Sequence, residues 1–204
     1  TVLNTASLDK KSPVYFAAIL ANQILGGGGE ARLFLNLRED KGYTYGAYSQ
    51  LRDSHKTKAL FKASASVRNI VTDSATVQLL YEIDRITNEL VTDQELDIVK
   101  AKYVGSFVLS LEDPANIARY ALNIKTQNLD PEFYRLFLQN INAVTKEDIY
   151  RVAKNYFLSN QARVVVTGKG SEILDALEKI SFKGKVLKVS YFDKYGNTID
   201  RPDY

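Results

Sequence analysis

Residues 37–49, "LREDKGYTYGAYS", carry the chain out of a helix and into a strand through one corner. A helix over about Glu30 to Asp40 ends near Gly42, and strand periodicity starts at Tyr43. Period two places Tyr43, Tyr45 and Ala47 on one face, with Thr44, Gly46 and Tyr48 on the other. Three strand steps carry Tyr45 about 10 Å from the turn, and four helical steps carry Arg38 about 6 Å from it. The guanidinium and the phenol are therefore expected to converge, offering N–H and O–H donors suited to a peptide carbonyl or a developing oxyanion. Arg38 also has a plainer reading, because a cation in a last helical turn is stabilised by the helix dipole.

Working outward, "YTYGAYSQL" and the alternating "KALFKASASV" form an antiparallel hairpin across "RDSHKT", with Ala59, Phe61, Ala63, Ala65 and Val67 on the buried face. His55 falls in that connection and reads as a solvated loop residue. Helix starts are legible from their caps. Ser12-Pro13, a capping box at Thr92 and Glu95, Asp-Pro at Asp113 and Asp130, and Thr145 with Asp148 each open a helical pattern. Val77, Leu80, Tyr81, Ile83, Ile86 and Leu90 share one face of a helix over 73–90, with Asp84 off it. "ARVVVTG" (162–168) and "KVLKVSYF" (185–192) read as late strands. Segregated strands and helices indicate an α+β fold with helices packed on an antiparallel sheet. We divide the chain into a main domain, 1–180, and a C-terminal strand with a polar tail, 181–204.

With 204 residues, 45% hydrophobic and 25% charged, the chain is ordinary for one sizeable core. The balance of 27 basic and 24 acidic side chains is interspersed, so no basic stripe suggests nucleic acid. No apolar run reaches the length of a membrane span. Cysteine is absent, and a single histidine argues against a self-contained zinc site. The opening "TVLNTAS" reads as the end of a strand already under way, as in a piece of a longer protein.

Two glycine motifs invite a nucleotide-binding reading and fail it. The run Gly26 to Gly29 lacks the Lys-Ser/Thr ending of a phosphate loop and leads into Glu30. Gly168 and Gly170 lack a third glycine, and Ser171 reads as an ordinary helix N-cap. Paired carboxylates such as Asp93/Asp97 and Glu147/Asp148 sit at helix starts, where they complement the dipole.

The stretch "NQILGGGGEARLFLNLREDKGYTYGAYS" (22–49) resembles the non-metal, C-terminal half of the pitrilysin/insulinase zinc peptidases. The family's Asn-x-x-Leu-Gly-Gly-Gly, Arg-Leu and Leu-Arg-Glu-x-x-Gly-x-x-Tyr elements match Asn22, Leu25 to Gly28, Arg32-Leu33, Leu37 to Glu39, Gly42 and Tyr45. "VTDQELDIVKAKYVGSF", "AVTKEDIYRVAKNYF" and "RVVVTG" extend the resemblance to roughly residues 12–175. It implies an α+β half whose homologous partner, a domain or a separate subunit, carries His-x-x-Glu-His and the zinc. It implies no metal or other cofactor bound by this chain, and a peptide substrate held by Arg38 and Tyr45 while the other half polarises the scissile carbonyl and activates water. Tyr45 would then be an oxyanion donor. Gly26, Gly27, Gly28 and Gly29 fall where the family has a chamber loop, a plain joint being the other reading. The competing expectation is a scaffold subunit of the same fold that has lost proteolysis. The tail "YFDKYGN" resembles bacterial members, which suggests the periplasm or cell envelope.

Overall fold

The alternation read at 58–67 becomes the middle of the sheet in a computed structural model, which describes residues 1–6, 8–54 and 56–203. Four antiparallel strands lie in the order β2-β3-β1-β4: β1 (Val2–Ala6), β2 (Thr44–Leu51), β3 (Ala59–Val67) and β4 (Arg163–Val164). Val2 faces Ala63 and Ala6 faces Ala59 across β1 and β3, while Leu51 faces Phe61 across β2 and β3. The hairpin is as expected, and β2 is an edge strand. His55, expected in its connection, lies outside the described residues.

Ala59, Phe61 and Ala63 point inward and meet the helical layer. Helix α1 (Tyr15–Gly26) packs on β2 and on α7 (Lys146–Tyr156), while α3 (Thr72–Asn88) packs on α7 and β3. Phe61 and Phe157 close this core with ring centroids 4.6 Å apart. Helix α4 (Asp93–Ser110) packs on α1, α6 (Phe137–Ala143) packs on α4 and α1, and α5 (Pro114–Gln127) lies between them in the chain.

The caps explain most helix starts. The Thr92 hydroxyl accepts from Glu95 N–H at 3.1 Å, and Glu95 accepts from Thr92 N–H at 2.8 Å. Thr145 and Asp148 repeat the box at 3.1 and 3.0 Å. Asp113 caps α5, accepting from Ala115 N–H at 2.9 Å with Pro114 in the first turn.

Three expectations are corrected. α1 begins at Tyr15, because Ser12 and Pro13 form a preceding turn in which Ser12 Oγ accepts from Val14 N–H at 3.4 Å. Asp130-Pro131 likewise opens a turn, closed by Phe133 N–H to Asp130 C=O at 2.9 Å, and the helix waits until Phe137. Ser171 lies inside α8 (Gly170–Leu177), whose N-cap is Lys169 without a side-chain cap.

On α3, Leu79 and Glu82 are buried and Tyr81 is half exposed, while Leu90, expected on the same face, lies beyond the helix end and is half exposed. The 185–192 strand splits into two hairpins, β5 (Ser181–Phe182) with β6 (Lys185–Val186) and β7 (Tyr191–Phe192) with β8 (Thr198–Ile199). Glycines at φ +73° (Gly184) and +86° (Gly196) make the turns. Arg201 ties the tail to α8 through Asp175 and Glu178, each at 2.7 Å.

Candidate substrate-holding site

Helix α2 (Arg32–Phe34) runs directly into a π turn, Leu35–Asp40. The wider turn follows from what its residues must reach. Leu33 and Leu37 are fully buried in the core, and between them the Asn36 amide donates to Glu82 at 2.6 Å and Gln78 at 3.1 Å on α3. Lys41 N–H closes the turn onto Asn36 C=O at 3.0 Å, a five-residue step.

Gly42, at φ +61°, donates its N–H to Arg38 C=O at 3.1 Å in a left-handed cap. Tyr43 N–H adds a 2.8 Å bond to Leu37 C=O. The corner is thus complete with Gly42 alone. The outward residues Phe34 and Arg38, and the tyrosines beyond, are not needed to make it.

Strand β2 opens with a bulge, since Thr44 faces Val67 while Ala47 faces Ala65, leaving one extra residue on β2. Thr44 holds it, its hydroxyl accepting from Gly46 N–H at 3.1 Å and lying 2.7 Å from the Ser66 carbonyl. This corrects the period-two expectation. Ala47 is fully buried, Tyr43 packs partly against the core, and Tyr45 is 97% exposed. Tyr48 folds back over Gly46, where any Cβ would sit 2.6 Å from its ring.

The outward side chains form a platform. The Arg38 guanidinium lies 4.8 Å from the Phe34 ring centroid, and the Phe34 and Tyr48 rings are 6.0 Å apart. Arg38 Nη1 bonds Glu39 at 3.0 Å, which leaves further N–H donors directed outward from the ring. The Tyr45 hydroxyl has no hydrogen-bond partner among the described residues. Arg38 and Tyr45 therefore flank Gly42 as exposed donors, with Arg38 oriented by Phe34 and Glu39. The four-residue spacing from Phe34 to Arg38 was a readable signal for this contact; the bulge that places Tyr48 had none.

Two polar pairs lie behind the platform, Asn36 with Glu82 and Arg32 with Glu95, and neither is readable from local pattern. Arg32 is 5% exposed at its side chain and grips Glu95 of α4 through two bonds, 2.6 and 3.0 Å. Burial opposes the Glu95 charge, but the bonds from Arg32 and Thr92 outweigh it and hold the carboxyl below its ordinary value. A carboxyl lowered in the folded state stabilises the fold above its unfolded value, near 4.3, and that contribution disappears as pH falls through the folded value. The stability advantage of wild type over Glu95→Gln is therefore expected to narrow as pH drops from about 5 towards 3. Urea titrations across that range check it, and a constant gap would show that the charge contributes nothing.

The glycine run is not a uniformly flexible joint. None of its residues has positive φ. Gly26, expected in a loop, is buried inside α1 and approaches β2 so closely that a Cβ would lie 2.3 Å from Ser49 N. Gly27 caps α1 under the Gln23 amide, which donates to its carbonyl at 2.8 Å. Gly28 lies beneath the Lys102–Glu30 pair, and a Cβ on exposed Gly29 would meet only the Phe34 ring, at 3.8 Å. Gly26→Ala is expected to cost about 1–3 kcal/mol by overpacking, and Gly29→Ala much less. Equal denaturation midpoints for the two variants would refute the close-approach explanation.

The residues present do not fit zinc. The chain has one histidine and no cysteine, and among the described residues no group of three or more His, Cys, Asp or Glu can hold a metal ion. No helix is long and apolar enough to cross a membrane among those residues.

Residues 3–103 match the family model of the peptidase M16 inactive domain. Fold and matched segment together define the class: the chain resembles the inactive, non-metal half of the M16 zinc peptidases. In particular, it is 27% identical over 157 residues to the uncharacterized zinc protease YmxG of Bacillus subtilis, covering 75% of this chain and 37% of that protein. The crystal structure of a peptidase M16 inactive domain from Pseudomonas fluorescens superposes with a TM-score of 0.73 at 25% identity, over 79% of this chain and 38% of the other. A protease from Helicobacter pylori shares the fold at a TM-score of 0.70 and 22% identity, over 79% and 38% of the two chains. The matched region thus spans little more than a third of these relatives.

Proposed function

We propose that this chain is the substrate-holding half of a two-half zinc metalloendopeptidase that cleaves peptides or unfolded polypeptides, the metal being supplied by a homologous domain or subunit. The observation that carries this reading is the exposed Tyr45 hydroxyl, without a hydrogen-bond partner among the described residues, across the Gly42 corner from an Arg38 already oriented on Phe34. Arg38 directs its free N–H donors to a backbone carbonyl of the peptide. Tyr45 donates its O–H to the carbonyl oxygen that gains charge during hydrolysis, which stabilises the transition state more than the ground state. As an edge strand, β2 also offers main-chain groups along which an extended peptide can align.

The reading is supported by the family match and by relatives named zinc proteases. Its test is peptide cleavage by this chain mixed with a half bearing His-x-x-Glu-His, comparing wild type with Tyr45→Phe and Arg38→Ala. Activity confined to the mixture and reduced in both variants is expected. An active mixture with unimpaired variants would make the corner a packing feature, and no activity in any mixture would favour the scaffold.

A further inference from the structure

Beside the platform lies a groove of about 350 Å³, enclosed by the end of α1, residues 29–31, Leu35 and the first turns of α4. Its floor is Ile24 and Val99, both buried, and its walls are Leu35, 47% exposed, and Ile98, 40% exposed. Two half-exposed aliphatic side chains facing a concave space leave apolar surface in water, so filling the groove is favourable.

The charges at its rim are already matched. Lys102 pairs with Glu30 at 3.4 Å, and Glu95 is held by Arg32 at 2.6 Å. A charged group entering would lose hydration without gaining a free counter-charge. An aliphatic or aromatic group meets no such penalty.

The groove borders the platform at Phe34. Leu35 follows Phe34 in the same turn, and Gly29 lines the groove where its only near neighbour is the Phe34 ring. No side chain at Gly29 stands between the groove and the Phe34 ring, a setting distinct from the close packing at Gly26.

We propose that this groove is a side-chain subsite, taking one uncharged apolar residue of the peptide whose backbone Arg38 and Tyr45 hold, with Gly29 as its entrance. The inference rests on the substrate-holding reading above. It makes the chain selective for peptides carrying an aliphatic or aromatic residue and disfavours acidic ones at that position.

The test is fluorescence anisotropy of the full chain with two labelled, unstructured peptides, rich in Ser and Ala and identical except for a central Leu or Asp. Wild type is expected to bind the Leu peptide about tenfold more tightly. Ile98→Asp and Gly29→Leu, both at exposed positions, should each abolish that preference, whereas Arg38→Ala should weaken both peptides alike. Equal affinities in wild type, or a preference that survives both groove variants, would overturn the subsite. An intact preference with Arg38→Ala silent would instead overturn the holding role of Arg38. Failure to bind either peptide would overturn both.

Discussion

Tyr45→Phe is expected, on the substrate-holding proposal, to reduce peptide cleavage by this chain mixed with a zinc-bearing half about 100-fold, the usual consequence of removing one donor to a developing oxyanion. The substitution deletes a single O–H and keeps the ring. At 97% exposure the side chain contributes little to packing, so the melting temperature should not change. A loss in kcat with KM nearly constant would place the bond in the transition state rather than in substrate binding. Arg38→Ala should raise KM as well, because it removes several donors and frees the Phe34 ring. Arg38→Lys should rescue only part, since an ammonium lacks the planar fork that lies on Phe34. Unchanged kcat in Tyr45→Phe would rule out the oxyanion role.

The largest expected effect on stability is at Arg32. Its guanidinium is buried and its Nη1 has no hydrogen-bond partner, so the pair with Glu95 is strong in position but incompletely satisfied. Arg32→Met should cost about 3 kcal/mol, mostly because Glu95 is left without its counter-charge. Arg32→Met combined with Glu95→Leu should recover much of that loss, short of the contribution of the Thr92 capping box, about 1 kcal/mol. Chemical denaturation of the single and double variants measures both. A cost below about 1 kcal/mol for Arg32→Met would mean that water reaches the pair and that it does not brace the platform.

Most of the architecture was legible because it is written in local signals. Alternation marked β3, and side-chain caps at Thr92, Asp113 and Thr145 marked three helices. Asp130-Pro131 misled because the same residues that cap a helix also close a turn, and no local feature separates the two. The corner itself was legible from Gly42, and Arg38 and Tyr45 were found as exposed donors. Phe34 carried a readable signal in its four-residue spacing to Arg38, whereas Tyr48 carried none, since its place depends on a bulge set by pairing with β3. The Arg32–Glu95 and Asn36–Glu82 pairs join residues 63 and 46 positions apart, a separation that periodicity does not register.

The π turn also has an evolutionary consequence. It holds one residue more than an α-helix needs between the anchored Leu33 and the Gly42 turn. Losing a single codon in that interval would restore the narrower helix and shift Arg38 from the fourth to the third residue after Phe34. Because the widened turn already absorbs the extra residue, Arg38 would keep nearly the same facing, and what is lost is one of Leu35, Asn36 and Leu37, the last two of which anchor the turn. The sheet, the helix caps and the Gly42 corner would all remain. Under the substrate-holding proposal, one in-frame deletion of Asn36 removes the tie to Glu82 behind the platform while the fold keeps its shape, a short path from peptide-holding half to scaffold.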